Sequence, residues 1–182
     1  MKKLSTFITE EKNLHMEHLE DLILNDGVIG AKQIFRFLSA TRDMLAGHTK
    51  ARVAATVKWD GAPAIFAGVD PRDGKFFVAK KGIFNKNPKI YKTNAEINAD
   101  LEGDLAAKFI VALREFKKLG IKSGVYQGDL MHSGGSHGDV HHDTKHGTAK
   151  FTPNTITYTA HGDEAKKIKK SKLGVVVHTQ YH

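Results

Sequence analysis

The 182-residue chain contains no cysteine, four prolines and one tryptophan, and each scarcity removes possibilities. Without cysteine there is no disulfide framework, thiolate zinc site, iron–sulfur cluster or Cys nucleophile, and the usage is that of a reducing compartment. No apolar run approaches the roughly 18–20 residues of a membrane span, and Met1-Lys2-Lys3-Leu4 leads into polar Ser5-Thr6 rather than an apolar leader. The expectation is a soluble, unprocessed cytoplasmic protein with no membrane partner. Nothing in the composition bears on oligomeric state.

What is abundant is positive charge. Lys and Arg number 28 against 20 Asp and Glu, a formal charge of +8. That balance favours phosphate-rich partners, nucleic acid foremost, without naming a chemistry. From Lys75 to Lys92 there are six lysines and no acid, interleaved with Phe76, Phe77, Phe84 and Tyr91. Lys86, Lys89 and Lys92 are the candidate nucleic-acid contacts, and Phe84 and Tyr91 either stack bases or pack inward. A second cluster, Lys166 to Lys172, reads as a solvated face.

The length suits one domain. Residues 1–48 read as an N-terminal helical hairpin packed on the core: Asn13–Leu24 has helical apolar spacing, Asn25-Asp26-Gly27 stops it, and Ala31–Ala46 forms the second arm. From Arg52 the pattern becomes strand-like. Arg52–Lys58, Ala62–Val69 and Lys75–Lys80 are separated by Asp60-Gly61 and Asp73-Gly74, which predicts an antiparallel meander. Thr93-x-x-Glu96 is a capping box opening one long helix to Gly120. Three further strands are expected at Gly124–Met131, Thr155–Thr159 and Leu173–His178, with a polar loop over 132–150.

The sharpest chemical feature is Lys58-Trp59-Asp60-Gly61. A lysine is a nucleophile only when deprotonated, and an unperturbed pKa near ~10.4 leaves under ~1% neutral at pH 7. Desolvation, or neighbours such as Lys80 and Lys81, would activate it. The bland reading of the same residues is a hairpin turn beside an exposed lysine, with Trp59 packing next to it.

Lys58-x-Asp60-Gly61 resembles motif I of the covalent nucleotidyltransferases, the superfamily of DNA ligases, RNA ligases and mRNA capping enzymes. Lys80-Lys81-Gly82 follows where those enzymes often carry a basic residue and Gly. Tyr126-Gln127-Gly128-Asp129-Leu130 resembles motif III, and Leu173–His178 stands where the motif IIIa strand should come. The wider pattern, through Phe151–Tyr158, is similar to ligase-like proteins of tailed bacteriophages, which would place the protein in the host cytoplasm.

The resemblance implies an α+β fold with an antiparallel-sheet nucleotidyltransferase core, ATP-grasp-like, over residues 49–182. It implies ATP as substrate and Mg2+ as cofactor. Lys58 would form a lysyl-N-AMP intermediate, with Asp60 as its catalytic partner. Gly61, Lys80, Lys81 and Asp129 would bind nucleotide, Asp129 also serving as the metal ligand, and transfer of AMP to a nucleic-acid 5′-phosphate would follow. Ala62-Pro63-Ala64 stands where Arg or Ser is common, and Asp129 replaces the usual Glu. Motifs IV and V have no counterpart before His182, so the chain is expected to be a C-terminally truncated fragment.

His132, His137, His141, His142 and His146, with Asp139 and Asp143, form a second cluster. It reads as an exposed loop or as a site with zinc or nickel affinity. His178, on an apolar strand, reads as a packed histidine. The competing functional classes are a non-catalytic nucleic-acid-binding module and a phage structural or host-interaction protein.

Overall fold

The computed structural model describes residues 19–48, 58–134 and 139–181. The expected strand residues 52–57, the start of the first helix and His137 lie outside the described residues. The described residues divide into two compact units, one ending at Lys58 and the other beginning at Trp59.

In the first unit, α1 spans Leu19–Leu45 and loses helical dihedrals at Gly27 (φ 55°, ψ −126°), where the sequence places its stop. A Cβ added at Gly30 would lie 1.8 Å from the Leu22 carbonyl oxygen. Residues eight apart on a straight helix are separated by ~12 Å, so the chain reverses and the two arms meet at Gly30. Phe35, Leu38 and Leu45 of the second arm are exposed.

The second unit is built on a four-stranded antiparallel sheet. Its strands are β1 (Ala64–Val69), β2 (Phe76–Ala79), β3 (Val125–His132) and β7 (Gly174–Tyr181), in the order β2-β1-β3-β7. The β1–β2 connection is Asp70-Pro71-Arg72-Asp73-Gly74, where Pro presets one turn dihedral and Gly74 takes a positive φ of 69°. Buried Asp70 ties this turn. It accepts from Arg72 Nη2 and Lys92 Nζ, both at 2.7 Å.

The long helix expected after Thr93 is two helices, α2 (Asn94–Asp100) and α3 (Gly103–Lys117). The capping box forms as expected, with Thr93 and Glu96 exchanging hydrogen bonds. The break follows from Leu101, which turns into the core at 4% exposure, and from Gly103, whose φ of 56° suits glycine far better than other residues. α3 buries Phe109, Ala112, Leu113 and Phe116 against Ile65, Ala67 and Val78 on one sheet face. Fully burying such apolar side chains contributes ~1.5–3 kcal/mol each.

The opposite face carries Phe66, Phe77, Ala79, Val125 and Tyr181. A single-turn 3-10 helix, Lys81–Phe84, folds over it, with Phe84 5.3 Å from the rings of both Phe66 and Tyr181.

The polar loop expected at 132–150 instead contains a hairpin. β4 (Val140–Asp143) and β5 (Thr148–Phe151) pair, and β6 (Tyr158–His161) completes a three-stranded sheet. Helix α4 (Gly162–Lys170) covers it, burying Ala165 with Met131, Val140, Ala149 and Phe151. The strands are four residues each and rich in His, Lys and Thr, so their alternation is weak in sequence. The lysines of the second basic cluster lie on α4 and just after it, with Lys166, Lys167, Lys169, Lys170 and Lys172 all exposed. Among the described residues, no helix is long and apolar enough to cross a membrane.

Candidate functional site

Trp59 to Pro63 enters the sheet beside β3. The Ala62 amide donates to the Leu130 carbonyl at 3.0 Å, and the Leu130 amide donates to the Pro63 carbonyl at 3.1 Å. β1 then pairs Ala64 with Asp129 and Phe66 with Gln127. Facing residues of paired strands share a side, so Asp129 and Gln127 lie on the sheet face that carries Phe66, opposite α3.

Gly61 is the point of closest approach. A Cβ there would fall 2.7 Å from Asp129 Cβ and 2.8 Å from both the Leu130 carbonyl oxygen and Met131 Sδ. Its φ is not in the left-handed region, so Asp60-Gly61 is not the hairpin turn expected. Glycine stands here because β3 leaves no room for a side chain.

Asp60 is anchored by a segment that sequence reasoning left without a role. The Asp60 amide donates to the Tyr158 hydroxyl at 2.8 Å. Its carboxylate accepts from Asn154 Nδ2 at 3.2 and 3.3 Å and from Thr155 Oγ1 at 3.2 Å. Trp59 packs on the Tyr158 ring at 4.9 Å, and Tyr158 stacks on Phe151 at 5.5 Å. Residues 151–158 thus clamp residues 59–60, and only the repeated Thr, Asn and Tyr hydrogen-bonding groups hinted at it. Lys58, directly before Trp59, is exposed.

His178 is exposed rather than packed inward. It lies beside a register shift in the β3–β7 ladder, and its Nε2 is 3.8 Å from Asp129 Oδ1. The site face therefore presents Asp129 and His178 beside the aromatic group of Phe66, Phe84 and Tyr181. The Tyr181 hydroxyl donates to Gln127 Oε1.

The lysines divide differently. Lys80 follows Ala79, and one step along a strand turns a side chain to the other face. Lys80 lies 3.5 Å from Asp100 at the end of α2, on the face opposite Asp129. Lys89 also pairs with Asp100, and the Tyr91 hydroxyl donates to that carboxylate at 2.6 Å. Lys89 and then Tyr91 hold the Asp100 carboxyl down at about 2. Burial, reinforced by Asp100, raises the Tyr91 phenol above its ordinary range. Tyr91 is a core residue at 3% exposure, unable to stack a base. Lys92 bridges Asp70 and Asp73, each at 2.7 Å. Lys81 and Lys86 are exposed and have no ion-pair partner among the described residues.

The histidine cluster is dispersed. His132 is buried in the core edge-on to Phe151, His141 and His142 lie on β4, and His146 closes the hairpin turn with Nδ1 2.7 Å from Asp143. Among the described residues, no group of three His, Asp or Glu side chains is placed to hold a metal ion. Magnesium is commonly held by one or two carboxylates with substrate phosphates and water completing its shell. Asp129, with 28% of its side chain exposed, fits that limited role.

The second unit is thus an α+β body with two antiparallel sheets, and its candidate site lies where the Trp59–Pro63 segment meets β3 and β7. The chain belongs to a family of unknown function (DUF6267), which matches residues 13–182. No curated protein and no solved structure matches it.

Proposed function

We propose that this protein is a ligase-like covalent nucleotidyltransferase with an antiparallel-sheet core of that superfamily's kind. The observation that carries the reading is the packing of Gly61 on Asp129. It joins the two segments that separately resemble motifs I and III, and β7, the motif IIIa counterpart, pairs with the second of them.

In this reading Lys58 Nζ, once deprotonated, attacks the α-phosphorus of ATP. The N–P bond forms as the bond to pyrophosphate breaks, leaving lysyl-N-AMP. Asp60, held by Asn154, Thr155 and Tyr158, is the partner that the resemblance assigns to Lys58. Asp129 binds the ribose or a nucleotide-borne Mg2+, which offsets phosphate charge when bound. Gly61 lets the nucleotide-binding segment close on β3. Lys81, exposed beside Phe84, is better available to phosphate than Lys80. Onward transfer to a nucleic-acid 5′-phosphate draws on Lys86, while Lys89 and Lys92 serve carboxylates within the fold.

Incubation with α-labelled ATP and magnesium tests the reading. Label that survives denaturation, is acid-labile and disappears in Lys58→Ala supports it. Absence of label, or label that persists in Lys58→Ala, overturns it.

A further inference from the structure

A line of four rings joins the end of β3 to the clamp on Asp60. The His132 ring lies edge-on to Phe151 at 5.3 Å, Phe151 stacks on Tyr158 at 5.5 Å, and Tyr158 packs on Trp59 at 4.9 Å. His132 stands where the two sheets meet. It pairs with Gly174 of β7, where a Cβ would fall 2.3 Å from His132 Nε2, and its other neighbour, Phe151, belongs to β5 of the small sheet. Held between Gly174 and Phe151 at 5% exposure, the ring reaches water only if the small sheet moves away.

His132 Nδ1 is buried and has no hydrogen-bond partner among the described residues, and the same holds for His142 Nε2. His142 shares a face of β4 with Val140, which stands opposite Phe151 in the β4–β5 ladder. The second imidazole therefore lies on the side of the small sheet that receives the first. An imidazolium donates from both ring nitrogens, whereas the neutral ring donates from one. A proton on His132 thus adds a charge and a donor where the described residues offer Nδ1 no acceptor. The charged groups facing the pair compensate only in part. Asp139 already accepts from the Ser133 amide and hydroxyl. Lys108 lines the same small cavity as His132 and Asp139, adds positive charge and pairs with Asp104. Toward this side β5 and β6 contribute Ala149 and Ala160, α4 contributes Ala165 and Ile168, and β7 contributes Val176. Burial, with His142 assisting and Asp139 opposing, pushes His132 below its ordinary 6.5.

We propose that protonation of His132 in mild acid releases the small sheet from β3 and β7, and with it the Tyr158 clamp on Trp59 and Asp60, while the large sheet stays folded. The large sheet is spared because the apolar clusters on its two faces hold no histidine among the described residues. The small sheet is not, because His132 packs on Phe151 within its own cluster. The released form takes up a proton near 6.5 that the closed form refuses. Release therefore gains up to ~10-fold per pH unit below that value, until the depressed pKa of the closed form is passed. The ring line carries the change to Trp59. This inference is independent of the nucleotidyltransferase reading, since it concerns how residues 59–60 are held and not what they react with.

The test follows Trp59 emission and amide hydrogen exchange of the intact protein across the range in which histidine titrates, roughly pH 7.5 to 5. Corrected for the intrinsic effect of pH on exchange, the amides of β4, β5 and β6 are expected to lose protection by up to ~10-fold between about pH 7 and 5.5. Trp59 emission should shift to the red over the same interval, the β1 amides should keep their protection, and return to neutral pH should restore the starting state. His132→Leu should remove the pH dependence and keep the clamp closed. His132→Gln, polar but without a titration, is the second variant and should behave alike. The proposal is overturned by protection of β4 to β6 that does not change with pH, or by β1 amides that lose protection in parallel, which is global unfolding. A transition that persists unchanged in both His132 variants also overturns it, because other groups then carry the release.

Discussion

Gly61 lies so close to Asp129 that a methyl group on its α-carbon would sit 2.7 Å from the Asp129 Cβ. The other two close neighbours are the Leu130 carbonyl oxygen and Met131 Sδ, both 2.8 Å away, so only the thioether has freedom to yield. Gly61→Ala is therefore expected to destabilise the fold by about 1–3 kcal/mol, the range for overpacking. Denaturant unfolding measures this, and a cost near zero would show that the Trp59–Pro63 segment does not rest on β3 as described.

Trp59 is the single tryptophan of the chain, so its fluorescence reports directly on the clamp formed by Tyr158. Tyr158→Ala removes both the ring beneath Trp59 and the hydroxyl that accepts the Asp60 amide. A red-shifted emission and stronger acrylamide quenching are expected. Tyr158→Phe should keep the emission near wild type while losing about 1 kcal/mol of stability, the usual scale of one hydrogen bond.

Asp70 ties the β1–β2 turn to Lys92 while having no exposed side-chain surface. The Arg72 hydrogen bond, with Lys92 adding to it and burial opposing, holds the Asp70 carboxyl well below its ordinary 3.8. The unfolded chain therefore takes up a proton at higher pH than the folded one. The stability this group contributes is complete above pH ~4 and is lost as pH falls through the depressed folded value. Asp70→Asn should cost about 2 kcal/mol at neutral pH and flatten the fall in stability below pH ~4. Unfolding curves at pH 6, 4 and 3 decide it.

His132 works over a different pH range. Its side chain is buried, and Nδ1 has no hydrogen-bond partner among the described residues. Burial pushes its pKa below the ordinary 6.5, with nearby Asp139 opposing and His142 assisting. Below pH 6.5 the unfolded state gains a proton that the folded state refuses, so stability falls with pH until the folded value is passed. His132→Leu removes this titration. Its stability is expected to vary less between pH 7 and 5.5 than wild type, and an unchanged slope would show that other groups carry the dependence.

Much of the local structure was legible in the sequence. The reciprocal bonding of Thr93 and Glu96, the Asp70–Gly74 turn and the apolar strands around Phe66, Phe77 and Val176 rest on neighbours a few residues away. The hairpin of Val140–Asp143 and Thr148–Phe151 was not legible, because both strands are only four residues long, the first buries Val140 alone, and His, Lys and Thr interrupt the apolar alternation. The split between α2 and α3 was also missed. The apolar periodicity runs through Leu101 unbroken, and only Gly103 marks the turn.

At the candidate site the division is sharper. Residue types alone singled out Lys58-Trp59-Asp60-Gly61, and the resemblance to the covalent nucleotidyltransferases added Asp129 and the expectation of one chemistry. Three matters depended on tertiary structure. Gly61 and Asp129 meet through the β1–β3 register, which pairs segments far apart in the chain. Lys80 faces Asp100 on the other side of the sheet because strand parity turns it there. The clamp of Asn154, Thr155 and Tyr158 on Asp60 arises only when the small sheet folds against β3. Capping and turn geometry are short-range and can be read from adjacent residues, whereas which faces meet is set by burial of apolar surface over the whole unit.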